Sequence, residues 1–366
     1  MRKIIFLVAL TLTSTPFFGQ VCPSNYGNQW EWGSHSNWFF GDGVFLNFPN
    51  GTGSPTATYR SFTGDWVVPP NQNQAYEGTS AASDNAGSLL AYSNGRYLWD
   101  STGTIISDKM LAGNEGGSTK MKSSAVQGIV SVRHPLNPDE IYYFTSDDVL
   151  TSTDLGANFS VYNLKTKTMS VVTRLKTDVG TNYRSTEQIE ATFHSNGVDV
   201  WVVIRESGRN GAANFQNFYS YLITCNGLNT TPTKSVAAPP IGNPAIPGGN
   251  FSNDYERGSL KISWDGKRAA TVNHINGWSD KDDAIVIYDF DASTGILSNA
   301  KGVSEQVNGA GNGWTGPSYT SQYDCEWAPD SKGLFIAPAA GANLLWLDAS
   351  LPTGAAIHAS IKVASG

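Results

Sequence analysis

The sequence predicts an all-β protein, a β-propeller built from four-stranded antiparallel blades. Three observations lead to this prediction. Apolar runs alternate with short turns rich in Gly, Asn and Asp, and pairs of these runs recur at an even spacing. In addition, the 366 residues include only 15% charged residues but 38 glycines and 11 tryptophans. An average soluble domain has about 25% charged residues and about 7% Gly, so this composition favours strands that pack mainly against other strands.

The first half of each repeat is predicted to be a β-hairpin. Turns of the Asn-Gly or Asp-Gly kind between β-branched or aromatic runs are the strongest short-range hairpin signal. The segments with this pattern are 83–92, 137–144, 195–203, 264–272 and 329–336.

The second half of each repeat is a strand, a polar turn and a further strand. The segments are 97–103, 161–167, 219–227, 286–295 and 345–350. Each holds an aromatic residue about 60 residues from the next one, and the set is Trp99, Tyr162, Tyr221, Tyr288 and Trp346. Five two-part units therefore predict about five blades of four strands each.

Radial stacking explains why such units would form a propeller. A single meander cannot bury its apolar face alone, whereas a ring of meanders buries each face against a neighbour. Units of about 60 residues exceed the usual 40–45 of a blade, which places the surplus in Gly- and Pro-rich loops at 237–258 and 301–322. Either the strand at 38–48 completes the last blade or the ring is incomplete. The alternative, a pair of β-sandwiches, explains the alternation but not the even period.

Residues 1–20 have the pattern of a secretory signal peptide. Arg2 and Lys3 precede an apolar run over 4–12, and Gly19 lies near the end. The run is about half of the ~20 residues that a membrane-spanning helix needs, so no transmembrane anchor is predicted. Residues 21–366 are predicted to be the propeller domain, exported to the cell surface, the medium or the periplasm.

Charge and cysteine content restrict the partners and the chemistry. A net charge of −7 gives no basic surface for nucleic acid. Cys22, Cys225 and Cys325 are far apart in sequence, which is not a metal-binding spacing. An odd number leaves at least one unpaired. For Cys225 and Cys325, two small buried hydrophobic residues are favoured over a disulfide.

The sequence contains few recognisable catalytic motifs. The chain has no His-Glu-x-x-His, Gly-x-Ser-x-Gly or P-loop motif. Its five histidines are scattered along the repeats and are interpreted as turn and surface residues, and Glu187 and Glu190 as residues of a strand end. The sequence thus predicts no catalytic residue, no metal site and no cofactor.

Aromatic residues in polar loops are the most suggestive functional feature. A strand core does not need a ring in a Gly-, Asn- or Ser-rich loop, but such a ring can stack on a sugar or anchor a protein partner. The predicted ligand-binding residues are Phe251, Tyr255, Trp278, Trp314, Tyr319 and Tyr323. The expected partner is an unidentified extracellular protein or glycan, bound by a monomer.

Four segments carry a family resemblance. The segment 37–48, with its Asn-Trp-Phe-Phe-Gly run, resembles the opening of the propellers of exported proteins in gliding bacteria. The segments 77–95 and 186–202 resemble later blocks of that family, and 326–332 resembles the blade turn of TolB-like and WD-repeat-like propellers. The resemblance covers most of the chain after residue 20. It implies a surface or secreted protein handled by type IX secretion.

Two functions follow as hypotheses. The sequence favours a non-enzymatic binding or adhesion module, because catalytic motifs are missing and the fold presents loops. The alternative is a glycan-active enzyme, a hydrolase or lyase, with its site in the channel of the propeller. That alternative requires carboxylates that converge on the axis, with Glu187 near another carboxylate of the channel.

Overall fold

The structure is a computed structural model. It describes residues 36–40, 44–48, 54–59, 77–110, 125–147, 156–175, 185–206, 217–237, 257–273, 285–303, 322–338 and 344–364. Within these ranges the strands form six antiparallel sheets that follow one another along the chain.

The first three sheets are formed by the N-terminal half of the chain. Sheet 1 contains β1 (Asn37–Phe40), β2 (Val44–Asn47) and β3 (Thr56–Tyr59). Sheet 2 contains β4 (Ser80–Ser83), β5 (Leu89–Ser93), β6 (Leu98–Asp100) and β7 (Ile105–Ser107). Sheet 3 contains β8 (Ile129–Arg133), β9 (Glu140–Ser146), β10 (Ala157–Asn163), β11 (Thr168–Met169) and β12 (Thr173–Arg174).

The other three sheets follow in the C-terminal half. Sheet 4 contains β13 (Ser185–Phe193), β14 (Val200–Glu206), β15 (Asn217–Thr224), β16 (Gly227–Leu228) and β17 (Thr233–Val236). Sheet 5 contains β18 (Gly258–Ile262), β19 (Arg268–Asn273), β20 (Ile285–Asp291) and β21 (Ile296–Val303). Sheet 6 contains β22 (Gln322–Trp327), β23 (Gly333–Pro338), β24 (Leu345–Asp348) and β25 (Lys362–Val363), with the short helix α1 (Gly354–Ala359) before β25.

This architecture is a six-bladed β-propeller, so the predicted fold class is confirmed. Each of the five predicted units forms one sheet, and the five spaced aromatic residues all lie on the third strand of their sheets. Of the two alternatives for the strand at 38–48, its completion of the last blade does not occur. That segment forms β1 and β2, which pair with each other and with β3 in a separate sheet, and β1 lies against β4.

The core consists of apolar layers between consecutive sheets. Five buried clusters each join one sheet to the next, from sheets 1 and 2 through to sheets 5 and 6. Strand β14 shows why: Val202 and Ile204 pack towards sheet 3, whereas Trp201 and Val203 pack towards sheet 5. Because successive side chains of a strand point to opposite faces, one apolar run supplies both layers.

The first strands of sheets 2 to 6 lie next to one another around the centre. Strand β4 contacts β8, β8 contacts β13, β13 contacts β18, and β18 contacts β22. In an antiparallel sheet, the first-to-second and third-to-fourth connections lie at one end, which we call the turn face. The second-to-third connections and those between sheets lie at the other end, which we call the loop face.

Two cysteines differ in state. Cys225 is disulfide-bonded, whereas Cys325 is a buried free thiol on β22. The interpretation of Cys325 as a small buried hydrophobic residue is therefore confirmed, and for Cys225 it is wrong. Spacing alone could not predict this, because a disulfide depends on distances in the folded chain.

A tight contact between strands makes Gly258 a sensitive position. Its φ is +115°, and a Cβ placed there would lie 1.9 Å from the carbonyl oxygen of Val272. Gly197 also has a positive φ, +71°, but open space around it. We expect Gly258→Ala to lower the free energy of unfolding by at least about 2 kcal/mol and Gly197→Ala by only about 1 kcal/mol. Denaturant unfolding of both variants measures the difference, and equal losses would contradict this account of Gly258.

Candidate functional site

A cavity of about 300 Å³ lies between the first strands of the sheets. Its lining comes from β4, β8, β13 and β18, from Asp324 on β22, and from the residues just before β4 and β8. Some of the lining residues have charged or amide side chains, and most of the others are small or apolar. They include Gln127, Glu190, Lys261 and Asp324.

Three charged residues from consecutive sheets meet beside this cavity, and we call them the lower group: Glu190 and Lys261 line the cavity, and Glu326 contacts Lys261. The ammonium nitrogen of Lys261 lies 3.4 Å from Glu190 Oε2 and 3.7 Å from Glu326 Oε2. Because both carboxylates contact one ammonium, they are no farther apart than the paired carboxyl groups of inverting glycosidases, roughly 6.5–9.5 Å.

Burial and charge shift the pKa values in this group. Burial, above all, raises the pKa of Glu190; Lys261 acts in the opposite direction, and the nearby carboxylate of Glu326 adds to the rise. For Lys261 the main cause is Glu190, whose carboxylate raises the pKa of the lysine despite its burial. The site thus combines an acid that holds its proton more tightly than usual with a lysine that stays charged.

The side chain of Gln127 spans the channel beside this group. Its amide oxygen accepts from the backbone N–H of Leu260 at 2.7 Å, and its amide nitrogen donates to the carbonyl of Leu260 at 2.9 Å. The same nitrogen lies 3.4 Å from Glu190 Oε2. Gln127 thereby satisfies backbone groups on an inner strand edge and holds Glu190 in place.

A second set of polar residues lies nearer the loop face, and we call it the upper group: Glu77, Glu187, Arg257 and Tyr323. Burial and a hydrogen bond from the Tyr323 hydroxyl to Glu77 raise the pKa of Tyr323, and Glu187 adds to the rise. Glu187 is fully buried and accepts from the backbone N–H of Val126 at 3.0 Å. Both carboxylates thus lie close enough to one phenol to affect its pKa.

A buried amide network ties sheets 4 and 5 together at the loop face. Arg205 is fully buried and donates through Nη1 to Gln188 Oε1 at 3.1 Å and to Asn273 Oδ1 at 2.8 Å. Gln188 also donates to Asn273 at 2.9 Å. The guanidinium lies over the Phe218 ring at 5.8 Å. A buried charge is costly without such partners, so this network holds the upper part of the channel in one arrangement.

Only one of the six predicted ligand-binding residues lies in the part of the chain that the structure describes. Phe251, Tyr255, Trp278, Trp314 and Tyr319 lie outside the described residues. Tyr323 is described, but it lies on β22 and not in a loop. It belongs to the upper group through its bond to Glu77.

Two histidines organise turns, as interpreted from the sequence. His134 accepts from the backbone N–H groups of Leu136 and Asn137 through Nδ1, and His194 accepts from Asn196 in the same way. No three His, Cys, Asp or Glu side chains in the described ranges come close enough together to hold a metal ion.

Sequence reasoning missed Lys261, Glu326 and Gln127 as site residues. One signal was present: Lys261 and Glu326 each stand two residues before the turn that follows the first strand of their repeats. Aligning the repeats on these turns would have brought the two charges to one position. Gln127 carries no such signal, because its partner Leu260 lies two sheets away.

Comparisons with known proteins show the fold at most. No family model and no curated protein matches this chain. Among solved structures, the periplasmic gluconolactonase PpgL of Pseudomonas aeruginosa is 13% identical, with 88% of this chain and 75% of that chain covered at a TM-score of 0.40. A putative 6-phosphogluconolactonase of Bacteroides fragilis is 11% identical, with 83% and 86% covered at 0.38. Hsv2 of Kluyveromyces lactis is 11% identical, with 84% and 69% covered at 0.36.

The prediction of a non-enzymatic binding or adhesion module is wrong. The channel brings the carboxylates of Glu190 and Glu326 together at the ammonium of Lys261, which is the convergence that the enzyme alternative required. As for anchoring, no helix in the described parts of the chain is long and apolar enough to cross a membrane.

Arg205 offers a test of the buried network. We expect Arg205→Met to lower the free energy of unfolding by roughly 2–4 kcal/mol, because Gln188 and Asn273 lose a charged donor in a dry site. Lys301 is the control: it is partly exposed and lies 3.8 Å from Asp289, so Lys301→Met should cost less than about 1 kcal/mol. Guanidinium chloride unfolding measures both, and a cost for Arg205→Met as small as that of the control would contradict the role of the network.

Proposed function

We propose that this protein is an enzyme that cleaves a glycan or a related carbohydrate by acid–base chemistry, with the lower group as its active site. The observation that carries the proposal is the meeting of Glu190 and Glu326 at the ammonium of Lys261 beside a cavity. Enzymes that hydrolyse glycosidic bonds use two carboxyl groups that lie within about 10 Å of each other.

Each residue of the group has a role in this proposal. Glu190, in the less exposed position, is the general acid that protonates the leaving oxygen, because a raised pKa keeps such a group protonated. Glu326 is the second carboxylate; its side chain is 58% exposed and acts on water or on the sugar carbon. Lys261 stabilises negative charge between them, and Gln127 is a positioning residue for Glu190.

We also propose that the protein is exported and acts outside the cytoplasm. The pattern over residues 1–20 supports export, and so does the disulfide at Cys225, since disulfides persist in oxidising compartments. Handling by type IX secretion, as in the surface propellers of gliding bacteria, rests on the resemblance of 37–48, 77–95 and 186–202. Fractionating cells that express the full chain tests the location, and a cytoplasmic, uncleaved product would contradict it.

The activity is tested on a panel of neutral polysaccharides, uronate-containing polysaccharides and an aldonolactone. Reducing ends report hydrolysis, absorbance of an unsaturated product reports a lyase, and acid release reports lactone opening. We expect turnover of a glycan, with Glu190→Gln and Glu326→Gln each lowering kcat by about 10²–10⁴-fold.

Asp289→Asn is the matched control, because Asp289 forms a carboxylate–lysine pair outside the channel, 3.8 Å from Lys301. This variant should keep wild-type turnover. The proposal fails if no glycan is turned over, if only the lactone reacts, or if Glu190→Gln turns over as fast as Asp289→Asn.

The role of Glu190 also predicts a pH dependence. A general acid works protonated, so kcat should fall as the pH rises through the pKa of Glu190, with a midpoint above its ordinary value of 4.5. Lys261 holds that pKa down, so the residual activity of Lys261→Met should show the same decline at higher pH. A midpoint that stays in place or moves to lower pH would exclude Glu190 as the acid.

A further inference from the structure

An exposed tryptophan lies on the turn face, next to the lower group. Trp264 is 71% exposed and follows β18, three residues after Lys261. Its indole N–H donates to the carbonyl oxygen of Trp327 at 3.2 Å. Trp327 directly follows Glu326 and donates from its own indole N–H to the carbonyl of Lys261 at 3.1 Å. The ring of Trp264 is thus tied to the two strand ends that carry Lys261 and Glu326.

The repeat does not need an aromatic residue at this position. The same turn closes after the first strand in sheets 4, 5 and 6, with a backbone bond from Gly197 to His194, from Gly266 to Ser263 and from Ser331 to Ala328. The residues equivalent to Trp264 in the other two turns are Ser195 and Pro329. Turn geometry therefore does not explain a large, mostly exposed ring here.

The turn that carries Trp264 is held in place by its neighbour. The backbone N–H of Asp265 donates to Ser331 Oγ at 3.0 Å, and Arg268 Nη1 donates to the carbonyl of Ser331 at 3.2 Å. With its indole N–H also bonded, the ring keeps one orientation while its surface stays open to solvent. A ring that is already immobilised loses little conformational entropy when a ligand binds.

We propose that Trp264 is a stacking subsite for a sugar ring of a glycan chain that enters the channel from the turn face. The inference deepens the proposed function, on which it rests. The C–H face of a pyranose is apolar and can stack on an aromatic ring, whereas its hydroxyl groups are polar and can bind charged side chains. The charges come from Lys261 and Glu326, whose side chains are 25% and 58% exposed and which belong to the two strand ends that the indole bonds tie to Trp264.

The test uses the full-length protein in the Glu190→Gln background, which prevents turnover during binding. The probes are cellohexaose, maltohexaose and chitohexaose, titrated by calorimetry and by tryptophan fluorescence. We expect at least one hexasaccharide to bind, and Trp264→Ala to raise its Kd about 5- to 10-fold. Trp264→Phe should recover most of the affinity, because it retains a stacking face.

Trp38→Ala is the matched control, since Trp38 is 50% exposed but lies on sheet 1. It should leave the Kd unchanged. Because Trp264 is mostly exposed, its variants should melt close to the parent protein. In the active protein, Trp264→Ala should raise KM for long chains, because these chains lose a stacking contact.

The outcomes separate this inference from the proposed function. Binding that depends on Trp264 without any turnover supports the subsite and overturns the enzyme. Turnover with unchanged Kd and KM in Trp264→Ala overturns the subsite and leaves the enzyme standing. Absence of binding by all three hexasaccharides overturns the subsite, and so does a Trp38→Ala effect equal to that of Trp264→Ala.

Discussion

The face-to-face packing of consecutive sheets is the constraint on which the rest of this structure depends. Each inner sheet is apolar on both faces, so it has no stable arrangement by itself and needs a neighbour on each side. The five buried clusters show this directly. Each one joins one sheet to the next, from sheets 1 and 2 through to sheets 5 and 6. The central strands of the sheets must therefore place apolar side chains on both sides, in keeping with the low charge of the whole chain.

This packing has a consequence at the centre. Inner strands pair on one side only, so their other edge faces the channel with backbone groups that need partners. Gln127 supplies one such partner by reaching Leu260 two sheets away. Charged residues of the inner strands also converge there, because the sheets leave no other place for them. The lower group thus arises from the geometry that excludes charges from the layers between the sheets.

Buried charges have different consequences at the two ends of the channel: one stabilises the fold, and the other is destabilised by its burial. At the loop face, the fully buried Arg205 has fixed amide partners, and the network strengthens the contact between sheets 4 and 5. In the lower group, Glu190 lies under a desolvation penalty that its ion pair only partly offsets, as its raised pKa indicates. A buried acid with a shifted pKa beside a cavity is typical of a reactive site, whereas a buried arginine bonded to fixed amide partners is typical of a structural contact.

The sequence by itself determined the sheets, because strand and turn signals are local. Turns such as 195–197 and 264–266, and the aromatic residues from Trp99 to Trp346, predicted five of the six sheets and the all-β class. Only the tertiary structure decided that 38–48 forms its own sheet, that Cys225 is bonded, and that Glu190, Lys261 and Glu326 meet. These three residues are spread over more than a third of the chain. A local pattern does not predict which repeats become neighbours, or which side chains face the same channel. The radial arrangement of the sheets creates that proximity, and with it the candidate site.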